Sequence, residues 1–477
     1  MSADTVRRAV ALACAFTMAG CSAFLGYESD RPSWESRERP EGSVEPTRMP
    51  DAPAVDVALP RTEAPERVET RAVTLGEVLR RAAEDSVAVL ESEAQLAASA
   101  ARTRAADAAF IPGVRGDYRA RHLDGRQIGS FGDVGEVSFG RFEAGVSVFY
   151  RLNPGGAVER SIAARYDQDA AGGDADDSVR RAMESAGLAY FDLLRSRAEV
   201  EIAARLVAAT KRFRAIARAR AAAEVSSRAD VARAEAELAA ARQIHIRARG
   251  TWQVTSVTLA TLLRWEPTVL LAPAEAEVRP RALIDAAPGE IDEHSVVQRP
   301  DVRAAKARAE AALHTRRATW WSLLGPTIEL EGRQRWLGVT AGDLGAGTIG
   351  LAAIGWTFEL GTLARAQEVA AIARVREIGA ISAEERARGE VQSALAEVSA
   401  AAEAIPEANR GVRAAGRSRR IQIARFETGT GLGLEVIEAQ NAEARARLSL
   451  VTAILRYNAA QLRLLAAGGL LGPDAVD

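Results

Sequence analysis

Two kinds of hydrophobic pattern alternate along the chain, and the alternation occurs twice. Leu75 to Phe110 places apolar residues at helical spacing and runs into Ile111-Pro112; Asp301 to Leu324 does the same and runs into Gly325-Pro326. Each is followed by two segments of period two, and then by a very long helical stretch, Ala157 to about Leu263 and Thr362 to about Ala467. The pattern predicts helix, strand, strand and long helices, twice over, which is an internal duplication.

The period-two segments carry most of the information. In Val114 to Ala120, the residues Val114, Gly116, Tyr118 and Ala120 share one face, opposite Arg115, Asp117, Arg119 and, just beyond, Arg121, because successive strand side chains point to opposite sides. Phe142, Ala144, Val146, Val148 and Tyr150 alternate with Arg141, Glu143, Gly145, Ser147 and Phe149. The second half repeats the arrangement: Ile328, Leu330 and Trp336 lie opposite Glu329, Glu331, Arg333 and Arg335, and Ile354, Trp356, Phe358 and Leu360 opposite Gly355, Thr357 and Glu359. Strands are expected at 113–122, 137–151, 326–337 and 347–360, with exposed turns at Leu123 to Glu136 and Leu337 to Gly347.

Taken singly, each segment reads as a half-buried strand of a soluble sheet. Four in matched hairpins, with an apolar face and a charged face, carry the dyad signature of a transmembrane barrel, with Tyr150, Trp336 and Trp356 at the interfaces. Four strands cannot close a barrel, and open edges are not tolerated in lipid, so the chain is expected to share its barrel with copies of itself.

The long segments have a different logic. No proline lies between Gly156 and Glu266, and a helix from Ala157 to Ala222 would reach roughly 100 Å at 1.5 Å per residue. A globular core cannot use such a helix; the expectation is a coiled coil or helical wall. Glu224-Val225-Ser226-Ser227 and the run Gly429-Thr430-Gly431-Leu432-Gly433 mark where each long helix turns back, so each segment is a helical hairpin.

Composition then excludes other classes. Lys+Arg is 62 against Asp+Glu 64, a net charge of -2, which gives nucleic acid no reason to bind. Arg7 and Arg8, the apolar run Ala9 to Met18 and the small residues before Cys21 have the three sections of a signal peptide. Met18-Ala19-Gly20-Cys21 resembles the bacterial lipobox, in which the cysteine is lipidated; the other reading is an ordinary signal with an incidental cysteine. From Ser22 to about Thr70 seven prolines forbid regular structure, and no later stretch has the roughly 20 consecutive apolar residues of a membrane helix.

His122, His245, His294 and His314 lack metal-ligand spacing. No glycine-rich run follows a strand into a helix with the lysine of a phosphate loop. An enzyme is therefore not expected, nor any cofactor beyond a covalent lipid on Cys21.

Three sequences then match a known family. Arg299-Pro300-Asp301-Val302-Arg303-Ala304-Ala305, the run Arg425-Phe426-Glu427-Thr428-Gly429-Thr430 with Leu434-Glu435-Val436-Ile437-Glu438-Ala439-Gln440, and Leu455-Arg456-Tyr457-Asn458-Ala459-Ala460-Gln461-Leu462 resemble the TolC-type outer-membrane factors, over about Leu75 to Gly469. The resemblance implies an α+β membrane protein. Long α-helical coiled-coil hairpins would form a periplasmic tunnel, and four β-strands per protomer would contribute to a trimeric 12-stranded outer-membrane β-barrel. On that plan residues 1–20 are a lipoprotein signal, 21–73 a lipid-anchored tether, 74–290 and 291–470 the two repeats, and 471–477 a tail.

The resemblance further implies an outer-membrane channel of a tripartite efflux or secretion system. Its partners would be outer-membrane lipid, a periplasmic adaptor and an inner-membrane pump. Glu435 and Glu438 match the family's acidic gate, and Asp230 matches a further acidic position, although each reads equally as a solvated helix carboxylate by itself. The hairpin tips that dock the adaptor would be Glu224, Val225 and Ser226, and Thr428, Gly429 and Thr430. Two departures stand out: Gly431 replaces an arginine that ties protomers in some members, and Glu224 replaces the usual tip glycine, which predicts a differently built turn. The competing class is a periplasmic coiled-coil adaptor or scaffold lipoprotein, which would have one helical hairpin flanked by small soluble barrels.

Overall fold

A computed structural model describes residues 70–472 except 129, 276, 282, 284–295 and 341. The signal segment, Cys21 and the tether up to residue 69 lie outside the described residues. Strand β1 (Thr70–Val73) is followed by helices α1 (Leu75–Asp85) and α2 (Val87–Asp107), strands β2 (Gly113–Ile128) and β3 (Val134–Leu152), and helices α3 (Pro154–Ala222) and α4 (Arg228–Leu262). A short strand β4 (Leu270–Pro273) leads into α5 (Pro300–Leu324), β5 (Thr327–Gly338), β6 (Gly345–Gly355), α6 (Leu360–Thr428) and α7 (Gly433–Ala467). The duplication is present in detail: α3 and α6 each have 69 residues, and α4 and α7 each have 35.

Four expectations need correction. The single helix from Leu75 to Phe110 is two, because Ser86 takes an extended conformation (ψ 144) and its Oγ accepts from Val89 N at 3.3 Å, capping α2. The first barrel hairpin is longer than expected. Pairing runs on to Ile128↔Val134 and so takes in most of the turn placed at 123–136. Strand β6 stops at Gly355 instead of 360, since its last partner on β5 is Thr327 and residues 356–359 have no strand of their own chain beside them. Finally, β1 and β4 form a two-stranded parallel sheet that no pattern in these four-residue segments announced.

The barrel strands form one antiparallel sheet in the order β2-β3-β5-β6, leaving β2 and β6 as free edges. Register puts Asp117, Gly145 and Arg335 across from one another. On this charged face Arg333 Nη2 donates to Asp117 Oδ2 at 2.8 Å and to Glu143 Oε1 at 3.3 Å. Gly145 leaves the lane open for it: a Cβ there would stand 3.1 Å from the Arg333 Nε. Arg151 pairs with Glu329 at 2.6 Å on the same face. The opposite face presents Val114, Tyr118, Leu330 and Ile354 to the surroundings, as an apolar face meant for lipid should. No helix among the described residues is long and apolar enough to cross a membrane.

The main core lies where α1, α3, α4, α7 and the β1–β4 pair meet, around Leu79, Tyr190, Leu193, Leu259 and Leu462. Helices α3 and α7 approach closely there because position 187 is glycine; a Cβ would stand 2.4 Å from Leu462 Cδ2. At one end of this core two arginines meet the C-terminus of α7. Arg180 Nη1 donates to Ala466 O at 3.3 Å and Arg299 Nη1 to Ala467 O at 3.0 Å. Arg299 is 1% exposed and also pairs with Asp301 and Glu390, each at 2.8 Å. Burial opposes ionisation of Asp301, but the hydrogen bond and charge of Arg299 outweigh it and hold the carboxyl below its ordinary value.

Two expectations follow. Arg299→Ala removes the guanidinium from Asp301, Glu390 and Ala467 O, and thermal unfolding of the assembled protein should be destabilised by about 3 kcal/mol. Because the folded Asp301 has a depressed pKa, its contribution is complete above about pH 4 and disappears as pH falls through the folded value. The gap between wild type and variant should narrow in acid; a gap independent of pH would remove Asp301 from the account.

Candidate functional site: the hairpin tips

The two hairpins reverse by the same device. At the first tip Val225 N donates to Arg220 O at 2.9 Å and Glu224 N to Ala221 O at 3.2 Å; at the second, Thr430 N donates to Arg425 O at 2.9 Å and Gly429 N to Phe426 O at 3.2 Å. Both are Schellman caps, which need a left-handed residue after the helix. Gly429 supplies it with φ 86, and Glu224 with φ 60. The differently built turn expected from Glu224 is therefore absent; the glutamate takes the glycine conformation. The returning helix α4 is capped by Ser227, whose Oγ accepts from Ala229 N at 3.1 Å.

An apolar cluster joins the two tips. Phe213 and Ala217 of α3, Ala234 of α4, Phe426 of α6, and Val436 and Ile437 of α7 are all buried. The Phe213 and Phe426 rings are 5.1 Å apart, and the Arg220 guanidinium lies 4.8 Å from the Phe426 ring.

The expected gate residues stand at this end. Glu435, in the first turn of α7, accepts from Leu432 N at 3.4 Å and lies 3.7 Å from Arg425 Nη1. Arg425 Nη2 also donates to Thr430 O at 3.3 Å, so it ties helix end to helix start within one hairpin. Glu438, one turn on, is exposed. Asp230 of α4 reaches the start of α7: a Cβ on Gly433 would stand 3.3 Å from its Oδ1, and Arg233 lies 3.8 Å away. The fold thus brings Asp230 to the helix that carries Glu435 and Glu438, although it gives Glu435 a partner that spacing had not revealed.

At the tips, Glu224, Val225, Thr428, Gly429 and Thr430 are exposed and Ser226 is half-buried. The hydroxyls of Thr428 and Thr430 lie 3.1 Å apart. A Cβ at Gly431 would come within 2.9 Å of the Arg425 Cβ, so the turn is closed to a larger side chain there. Arg425, Arg220 and Phe213 were missed in sequence because nothing local marks an arginine or phenylalanine of a long helix as a tip contact. Farther up, His314 Nδ1 lies 2.6 Å from Glu159 and its ring stacks on Tyr166, a packed histidine.

Strands that leave both sheet edges open, carried on two long helical hairpins, define a contributor to a shared membrane barrel. The chain belongs to the outer membrane efflux protein family, whose model matches residues 78–263 and 294–470. Among solved structures the fold is similar to that of the outer-membrane channel OprN, with 21% identity over 83% of this chain and 89% of that one and a TM-score of 0.74. It is also similar to VceC of Vibrio cholerae, with 17% identity over 83% of this chain and 96% of that one and a TM-score of 0.74. The open-state MtrE channel of Neisseria gonorrhoeae matches with 18% identity over 84% of this chain and 90% of that one, at a TM-score of 0.67. No curated protein matches the chain.

The left-handed glutamate makes a specific expectation. Glu224→Gly removes the Cβ clash of that conformation and should stabilise the protein by about 1 kcal/mol, read as a higher unfolding temperature. Gly429→Ala should cost about as much. If Glu224→Gly is neutral or destabilising, residue 224 is not left-handed in solution.

Proposed function

We propose that this protein is the outer-membrane channel of a tripartite efflux or secretion system, passively conducting cargo from a periplasmic adaptor and inner-membrane pump to the exterior. The observation that carries the reading is the four-stranded sheet with two free edges and one apolar face. In lipid each edge must be paired, and a homotrimer would pair β6 of one protomer with β2 of the next, closing twelve strands, four from each chain. Residues 356–359, beyond the last β5 partner, would then find their pairing on a neighbour. A single-hairpin adaptor has no use for this sheet, and no feature of the fold favours that alternative.

In this reading Cys21 is lipidated and anchors the chain in the outer membrane. Three copies of Glu435, Glu438 and Asp230 surround the inner mouth and favour hydrated cations. Glu224, Val225, Ser226, Thr428, Gly429 and Thr430 form the rim that meets the adaptor. The role is conduction, without a catalytic group or cofactor.

The test uses the full chain with an export signal and Cys21→Ala. Purified protein should still require detergent, run as a heat-labile trimer and conduct ions in a planar bilayer. Glu435→Gln together with Glu438→Gln should raise conductance severalfold and weaken cation preference. A water-soluble monomer without conductance would overturn the channel, and unchanged conductance in the double variant would overturn the gate.

A further inference from the structure

Strand register sorts the charged face of the barrel sheet into rows, and the rows differ in sign. In the two rows nearest the helices Arg151 stands beside Glu329, and Glu331 adds a second carboxylate. In the four rows beyond, Arg115, Arg119, Arg121, Arg141, Arg333 and Arg335 stand against Asp117 and Glu143 alone. Six arginines against two carboxylates leave a surplus of four positive charges on each chain. Strand β6 contributes only glycine and apolar residues to this face.

The two carboxylates are already taken. Arg333 holds Asp117 at 2.8 Å and Glu143 at 3.3 Å, and Arg119 lies 4.0 Å from Asp117. Arg115 lies 4.6 Å from the Phe149 ring. Arg121, Arg141 and Arg335 have no ion-pair partner among the described residues. Arg335 leans over Gly347, where a Cβ would stand 3.8 Å from its Nε. Arg121 and Arg141 are exposed and sit directly opposite each other on the β2–β3 ladder. Like charges so placed destabilise a sheet, and an anion lodged between the two guanidiniums removes that penalty.

Closing the ring does not supply the missing carboxylates. The β2 strand that a neighbouring copy would lay beside β6 carries Arg115, Arg119 and Arg121 against Asp117 alone. With this face toward the lumen, as the channel reading has it, three copies bring twelve surplus positive charges to the half of the barrel farther from the helices. Charges of one sign lining a cleft reinforce one another's field. The inner mouth, with Glu435, Glu438 and Asp230, has the opposite sign.

We propose that the outer half of the barrel lumen binds solutes carrying several carboxylate or phosphate groups, at a site centred on Arg121, Arg141 and Arg335; the proposal rests on the channel reading, which puts this face in the lumen. The chemistry follows from the donors. A guanidinium presents paired N–H groups that match the oxygens of a carboxylate or phosphate, and rings of arginine select anions in pores. A lumen face excludes lipid, so the ligand is a solute. Two filters of opposite sign then lie in series. Cations favoured by the acidic mouth meet an opposing field at the exit, whereas a polyanion that reaches the barrel is held there.

The full-length channel in a planar bilayer provides the test. Its long polar helices cannot cross lipid, so protein added to one chamber presents its barrel loops to the other. Tripolyphosphate added on the loop side should block the current about tenfold more strongly than the polycation spermine, and salt should weaken the block. Arg121→Gln/Arg141→Gln/Arg335→Gln should weaken it by about tenfold or more, while Arg249→Gln on α4 leaves it unchanged. With Glu435→Gln and Glu438→Gln also in place of the acidic mouth, the reversal potential in a KCl gradient should show a preference for chloride, which the arginine substitutions remove. Equal block by spermine in the unsubstituted channel, which needs no variant to fold, would overturn the proposal. So would undiminished block in the triple variant. A conducting trimer that ignores tripolyphosphate defeats only this inference, and a chain that never conducts defeats the channel reading as well.

Discussion

Two guanidinium groups, from Arg180 on α3 and Arg299 at the head of α5, converge on the final carbonyls of α7. A helix C-terminus carries unsatisfied acceptors and a partial negative charge, and burying it among other helices without donors would be costly. The arginines supply both the donors and the charge. Because Arg299 also holds Asp301 and Glu390, one side chain links α5, α6 and α7, and Arg180 adds α3. The Arg-Pro-Asp segment is thus a cap for a helix distant in sequence. A little earlier on α7, Asn458 and Gln461 act on the linker between the repeats: their side-chain amides bond the backbone of 279–283 on both its donors and its acceptors, like a neighbouring strand.

The repeats also mirror each other at their ends. Four helices finish in the same cap, with left-handed residues Glu224 and Arg264 in the first half and Gly429 and Gly469 in the second. The glycines need no strain to serve there; the glutamate and arginine hold a conformation that costs a side chain about 1 kcal/mol or more. The backbone plan has been kept while the residue type has drifted, which is why the second half reads clearly as helix–turn–helix and the first does not.

How much was legible follows from how local each signal is. Alternation in Val114 to Ala120 and its counterparts is local, and it identified the four strands; the absence of prolines between Gly156 and Glu266 identified the first long helix, and its repeat in the second half identified α6 although that helix carries Pro406. Strand ends were less legible. Whether Trp356 and Phe358 continue a strand depends on a partner, and within one chain β5 offers none past Thr327. The β1–β4 pair was invisible because it joins four-residue segments distant in sequence. At the tips, Glu435, Glu438 and Asp230 could be placed by their motif, but the pairing of Glu435 with Arg425 depends on the turn bringing positions ten apart face to face. The runs of arginine near the tips of α3 and α6 were hidden by composition: totals of 62 and 64 balance because carboxylates elsewhere in the chain offset them.

Magnitudes decide what holds the tips together. In the proposed trimer the exposed carboxylates would face one another across water, where two charges about 10 Å apart repel by about 0.4 kcal/mol. Arg425 further reduces the effective charge at Glu435. Against this, burying one phenylalanine side chain contributes about 1.5–3 kcal/mol, and Phe213 and Phe426 are both buried, at 3% exposure. The apolar cluster outweighs the acidic ring as the determinant of hairpin position. In that trimer the carboxylates, Glu438 exposed and Glu435 and Asp230 half-buried, would act on what passes through the mouth, while the phenylalanines and the Arg220 cation over the Phe426 ring hold the hairpins together. A separation of this kind would let ion preference vary with the glutamates without loosening the tips, because Glu435 and Glu438 stand off the face of α7 that buries Val436 and Ile437.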